Sequence, residues 1–166
     1  LNARLPSILQ DRGPRILRER RSDSVRSAIA PHLEDEVFKK LSLHPRLVRP
    51  AQQLLGGEVY LHQFKINAKE AHDGEIWHWH QDYRTWYEDD GMPQPDVINA
   101  TVFLDEVNEF NGPMMFIPGS HKNGRIDSDN DFERVPEYGR LSADAVGSPY
   151  KQETINSQIA KHGIIA

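Results

Sequence analysis

The hydrophobic period of this chain changes once, at Gly56-Gly57, and that change constrains the fold more than any other feature. Before it, Leu33, Val37, Phe38 and Leu41 fall at i, i+4, i+5 and i+8, and Leu47, Val48, Ala51, Leu54 and Leu55 continue a one-sided helical pattern. Pro50 inside the second stretch implies a kink or a late helix start. From Glu58 the period is two. Tyr60, His62, Phe64 and Ile66 take one face of a strand, while Gln63, Lys65, Asn67 and Lys69 take the other. A polar face of that kind meets solvent or lines a polar cavity. Segments 76–83, 98–104 and 114–117 read as further strands, the last bounded by Asn111-Gly112-Pro113 and Pro118-Gly119. Helices over about 1–57 followed by short strands from about 58 predict an α+β fold whose strands form a barrel or jelly roll.

With 166 residues, the chain is expected to form one domain, 1–166. Its mean hydropathy of −0.68 implies a modest core and extensive loops. The charged stretch 124–147 has little periodicity and is longer than an ordinary connection, so it reads as a lid or as disordered. Ser148-Pro149 then suits a helix start, Ile155 and Ile159 give that helix a face, and Gly163 stops it. Ile164-Ile165-Ala166 looks like a strand beginning, and the first residue is Leu1 rather than Met. Both features predict a piece of something longer, truncated at its C-terminal end.

Charge and composition narrow the function. The formal net charge of −5 and the pI near 5.9, with no long run of Lys and Arg, argue against a nucleic-acid partner. The short basic cluster from Arg15 to Arg21 reads as a solvated helix face. The absence of cysteine removes disulfides, thiolate nucleophiles and Cys-ligated metal sites. No apolar run approaches the roughly 20 residues of a membrane span and no signal-peptide core is present, so a cytoplasmic, soluble protein is expected.

The informative histidines lie in Trp77-His78-Trp79-His80-Gln81-Asp82-Tyr83. On a strand, His78, His80 and Asp82 would share one side, with Trp77, Trp79 and Gln81 on the other. His80-x-Asp82 is two thirds of the 2-His-1-carboxylate set that holds non-haem Fe(II) and leaves positions open for cosubstrate and oxygen. By itself the pair also fits a structural or surface reading.

Its company is more specific. His62-Gln63-Phe64-Lys65-Ile66-Asn67, Trp79-His80-Gln81-Asp82-Tyr83-Arg84-Thr85-Trp86, Asp90-Gly91-Met92-Pro93, and Phe110-Asn111-Gly112-Pro113 leading to Ile117-Pro118-Gly119-Ser120-His121 occur in order. This series resembles the phytanoyl-CoA dioxygenase superfamily of Fe(II)- and 2-oxoglutarate-dependent oxygenases, most nearly its ectoine and free-amino-acid hydroxylases. The resemblance is densest from about Val59 to Gly124 and extends faintly to Val25-Arg26 and to His162-Gly163.

What it implies is a double-stranded β-helix, that is a jelly-roll core, wrapped by N-terminal helices. It also implies an enzyme using Fe(II), 2-oxoglutarate and O2 to hydroxylate an unactivated C–H bond of a small amino acid or derivative. Carried over, His80 and Asp82 match the first two iron ligands and the catalytic pair. Asn67 and Lys69 match cosubstrate contacts, Gln63 matches a substrate contact, and Trp86 matches the tryptophan that walls the pocket. Arg84 departs from the ectoine-hydroxylase motif and suits a carboxylate-bearing substrate; a solvated surface arginine is the competing reading. Asp82 also matters for what it excludes, because related halogenases carry Gly or Ala there, so hydroxylation is expected over halogenation. His78 and His62 read as packed side chains, and Ser120 and His121 as residues that fix a turn.

In the family, a second histidine ligand and an arginine for the distal carboxylate follow the helix that ends here at Gly163. His162 is the one late candidate. Two rival readings remain. A cupin-type metal enzyme would use His78 and His80 equally, although no Glu stands at the cupin spacing. A non-catalytic jelly-roll binding protein would keep these motifs without a complete ligand set. The sequence carries no signal for oligomeric state.

Overall fold

Residues 16–29 fold as a β-hairpin around a charged and polar turn, although this part of the chain was expected to be helical. The computed structural model describes residues 1–19, 21–70, 77, 79–125, 156–157 and 159–161. Its chain divides into two units, one made of Leu1–Glu75 with Asp96–Glu106, the other of Ile76–Pro95 with Val107–Ala166.

The first unit opens with a 3-10 turn, Asn2–Arg4, and a short helix α1, Leu5–Leu9. Strand β1, Ile16–Arg18, pairs antiparallel with β2, Val25–Ile29, and β2 pairs antiparallel with β3, Lys65–Asn67, giving a three-stranded sheet in the order β1-β2-β3. As the middle strand, β2 is buried from Val25 through Ala28, so its burial does not alternate and the sequence pattern that marks a half-exposed strand is missing. Arg18 and Arg26 disguise the hairpin further by placing charged residues on buried elements. The Arg15 to Arg21 cluster is thus no helix face: Leu17 within it is buried in β1, and so is Glu19 just after that strand.

Two helices follow as the apolar spacing predicts. Helix α2, Glu36–Ser42, is capped by Asp35, whose Oδ1 accepts from the backbone N–H of Val37 at 2.8 Å and of Phe38 at 3.4 Å. Arg4 Nε donates to the other oxygen of Asp35 at 2.7 Å, and that guanidinium, with the two backbone donors, holds the carboxyl below its usual pKa. Helix α3, Pro45–Leu55, begins at Pro45 and runs through Pro50, then ends on Gly56 in the left-handed conformation at φ 74°. Phe38 is 1 % exposed and forms the core with Ala28 and Ile66, while Leu5, Ile8, Ile16, Leu41 and Phe64 pack around it. Phe64 meets Phe38 edge-on, with centroids 6.1 Å apart, and stacks on His32 at 5.5 Å. Burial, and then the charge of Arg15, push the His32 pKa down.

Expected strands shrink in both units. The period-two run from Glu58 is strand only over Lys65–Asn67; Tyr60, assigned to the apolar face, is 78 % exposed, and His62 is half-buried against it. Residues 98–104 carry no strand, and Ile98, Val102 and Phe103 are exposed. Of 114–117, only Phe116 makes an isolated bridge. A strand exists by pairing, so β-propensity without a ladder partner leaves extended backbone. In the second unit, α4, Asp82–Asp89, stands where the end of a strand was expected, and Trp86 and Ile117 are its buried apolar side chains among the described residues. Pro118-Gly119 turns the chain at φ 75° into a 3-10 turn, Ser120–Asn123, confirming that Ser120 and His121 belong to a turn. Asn156, Ser157 and Ile159 to Lys161 are helical, as expected of the segment after Ser148-Pro149. The helix start itself, Ile155, Gly163, the end strand, and residues 126–147 of the expected lid lie outside the described residues.

Candidate metal centre

Gln81, with extended backbone at φ −114° and ψ 123°, is the last residue before α4, so the chain turns from extended to helical between His80 and Asp82. An acidic residue in the first helical turn is favoured by the N-terminal dipole. The turn brings the two side chains together: His80 Nε2 lies 3.3 Å from Asp82 Oδ1, with the side chains 27 % and 30 % exposed. Two cis donors of an octahedral ion, each about 2.1 Å from it, stand about 3.0 Å apart. The observed pair therefore fits a common divalent ion, and its nitrogen and oxygen donors suit iron in the 2-His-1-carboxylate class. Among the described residues, no group of three His, Asp or Glu is placed to hold an ion. His162 and His78 lie outside the described residues.

Trp77 faces the imidazole of His80, with centroids 6.5 Å apart and planes 35° apart. A strand would have put residues 77 and 80 on opposite sides, so this contact is a direct consequence of the irregular backbone. Gln81 Nε2 donates to the carbonyl of Gly124 at 3.0 Å, which anchors the start of the 124–147 segment to the foot of α4. On the helix, Arg84 Nε donates to Glu88 Oε1 at 3.0 Å, and Arg125 sits 3.7 Å from that same oxygen and 4.9 Å above the Tyr87 ring. A carboxylate that Arg84 meets here is thus that of Glu88. Trp86 is 7 % exposed and its carbonyl accepts from Asp90 and Met92, which fastens the tight turn at Gly91, φ 70°.

The remaining site residues belong to the first unit. Asn67 and Lys69 are exposed, Gln63 is half-buried, and Lys65 shares the β3 face with Asn67. Within that unit, Ser27 Oγ donates to Asn67 Oδ1 at 2.8 Å. Sequence reading missed this contact: it depends on the β2–β3 register, which sets Ser27 opposite Asn67, and nothing in the local pattern announces that pairing.

Comparisons with known proteins agree with the motif series. The profile of the phytanoyl-CoA dioxygenase (PhyH) family matches residues 9–161. The L-proline trans-4-hydroxylase of Streptomyces griseoviridis is 44 % identical over 127 residues, 76 % of this chain and 47 % of that protein. The ectoine dioxygenase of Halomonas elongata is 41 % identical over 104 residues, 63 % of this chain and 31 % of that protein. The crystal structure of EctD from S. alaskensis with 2-oxoglutarate and 5-hydroxyectoine superposes with a TM-score of 0.74 at 28 % identity, covering 99 % of this chain and 51 % of that one. The same protein has been solved with bound Fe, at a TM-score of 0.70 and 30 % identity. The chain spans about half the length, or less, of the curated relatives it matches.

Proposed function

The chain belongs to the phytanoyl-CoA dioxygenase family, and on that premise we propose that it acts in the Fe(II)- and 2-oxoglutarate-dependent hydroxylation of a small amino acid or amino-acid derivative. The observation that carries the reading is the His80–Asp82 pair, set 3.3 Å apart at the start of α4 by the motif that the family match contains. The whole fold proposed is a jelly roll, supported by the likeness to EctD. Bound iron with 2-oxoglutarate and O2 supplies the oxidant: a substrate C–H becomes C–OH while the cosubstrate becomes succinate and CO2.

His80 and Asp82 hold the metal, with one neutral and one anionic donor, and Trp77 limits how far the imidazole can swing. Asn67 supplies an amide donor and Lys69 a cationic one to the carboxylates of 2-oxoglutarate. Gln63 is assigned to the substrate. Arg84 is the candidate for a substrate carboxylate, which would compete for it with Glu88. Trp86, buried on α4 one turn beyond Asp82, is assigned to the wall of the site, where a rigid apolar ring would exclude water near the reacting carbon. Asp82, occupying the position that halogenases leave empty, favours hydroxylation. No helix of the described residues is long and apolar enough to cross a membrane, and a cytoplasmic location is part of the proposal.

The test is an anaerobic titration of the metal-free protein with Fe(II) and 2-oxoglutarate, followed by the visible metal-to-ligand charge-transfer band. The band is expected for the native sequence and lost in Asp82→Ala, with folding checked by circular dichroism. A folded native protein that gives no band is the result predicted by the non-catalytic alternative. Succinate release dependent on free L-proline, L-leucine or ectoine then sorts the substrate.

A further inference from the structure

We propose that Ser27 is a positioning residue that sets which end of the Asn67 amide faces 2-oxoglutarate. The inference rests on the oxygenase reading and deepens it. A carboxylate only accepts hydrogen bonds, so an asparagine helps to bind it through Nδ2 and opposes it through Oδ1. The two ends are nearly the same size, so the hydrogen bonds an asparagine makes decide which way its amide points.

Strand register provides the hold. Ser27 stands directly opposite Asn67 across the β2–β3 pair, and Leu17 stands opposite Ser27 on the other flank. Ser27 is 0 % exposed, whereas Asn67 is exposed, so the contact joins a fixed interior hydroxyl to a side chain at the surface of the sheet. Ser27 Oγ donates to Asn67 Oδ1 at 2.8 Å, and Asn67 is the hydrogen-bond partner of that hydroxyl among the described residues. With the amide reversed, the hydroxyl could only accept, and its buried proton would have no partner. Burial of Ser27 thus becomes an orientation of Asn67: Oδ1 is tied inward, and Nδ2 is the prong left for a ligand. Lys65, two residues back on the same strand face, adds positive charge beside it, as a dianionic ligand requires.

Two measurements test the proposal. In the native protein without iron, nuclear Overhauser spectra are expected to show no cross-peak between the Asn67 side-chain NH2 protons and the Ser27 Hβ protons; a strong cross-peak means that the amide is reversed and overturns the proposal. The second is a double-mutant cycle on 2-oxoglutarate binding, read as the dissociation constant in the anaerobic Fe(II) titration. Ser27→Ala is expected to weaken binding roughly five- to tenfold in the native background and less than about twofold when Asn67 is already Ala. Equal losses in both backgrounds would show Ser27 acting only through the fold, and no loss in either would show that the amide needs no hold; both refute the inference while leaving the oxygenase reading intact. A native protein that binds no 2-oxoglutarate refutes both together.

Discussion

Glu19 and Arg26 allow the sharpest test of how this hairpin is held. Arg26 donates from one terminal nitrogen to both carboxylate oxygens of Glu19, at 3.0 and 3.3 Å, and the side chains are 6 % and 2 % exposed. Water therefore reaches neither charge. Removing one side chain takes a buried opposite charge away from the other, a loss of about 3–5 kcal/mol, whereas replacing both by apolar residues of similar volume costs little or even stabilises. Glu19→Leu and Arg26→Leu are each expected to lower the unfolding free energy by about 3–5 kcal/mol, against a typical total of about 5–15 kcal/mol, and the double variant to recover most of that loss. Urea unfolding followed by far-ultraviolet circular dichroism measures all four proteins. Added salt is expected to leave the single-variant losses unchanged, because a pair out of contact with water is poorly screened. Single losses below about 1 kcal/mol, the range of exposed pairs, would refute the reasoning and mean that water enters between β1 and β2.

Two further outcomes follow from the first unit. Phe38→Ala removes the ring at the centre of the Ala28, Ile66 and Phe64 cluster and is expected to cost about 3–5 kcal/mol by the same unfolding assay; a loss under about 1 kcal/mol would show that the cluster collapses into the gap. Acidification is expected to destabilise in two stages. His32 has a lowered pKa, so the unfolded chain binds its proton first, and stability falls as the pH drops through the usual histidine value of 6.5 toward the depressed folded one. Asp35, also lowered, contributes stability that is present above 3.8 and is lost as the pH falls through its folded value. His32→Phe should abolish the first stage and Asp35→Asn the second, with melting temperature against pH as the readout; a profile unchanged by either substitution contradicts the assignment.

What could be read from the sequence divides along a physical line. Helices α2 and α3 follow from local signals, the apolar spacing and the stop at Gly56, to which the structure adds Asp35 and His44 as caps. Those signals act within one or two turns and need no partner. Strands β1 and β2 were missed because a central strand is defined by what lies on both sides of it. Within Val25-Arg26-Ser27-Ala28-Ile29, burial of Arg26 and Ser27 makes sense only once Glu19 and Asn67, outside the segment, are in view. The same dependence worked in reverse at 98–104, where β-branched and aromatic residues suggested a strand that has no ladder among the described residues.

The proposed metal pair is the instructive case, since the sequence reading set it on a strand. On a strand, Cα atoms two residues apart are about 6.6 Å from each other, and the side chains must lean together to share an ion. Here the chain instead turns into a helix at Asp82, and the first turn carries the carboxylate back to within 3.3 Å of His80 Nε2. Trp77, which a strand would have sent to the far side, comes to lie against the same imidazole. Residue identity and spacing of two thus constrain what the ligands can reach, while the extended-to-helical switch decides which neighbours support them. A backbone change that preserves His80-x-Asp82 but keeps Gln81 and Asp82 extended, such as Tyr83→Pro, which disfavours helical geometry at Asp82, is therefore expected to separate the pair and weaken Fe(II) binding in the anaerobic titration even though both side chains remain.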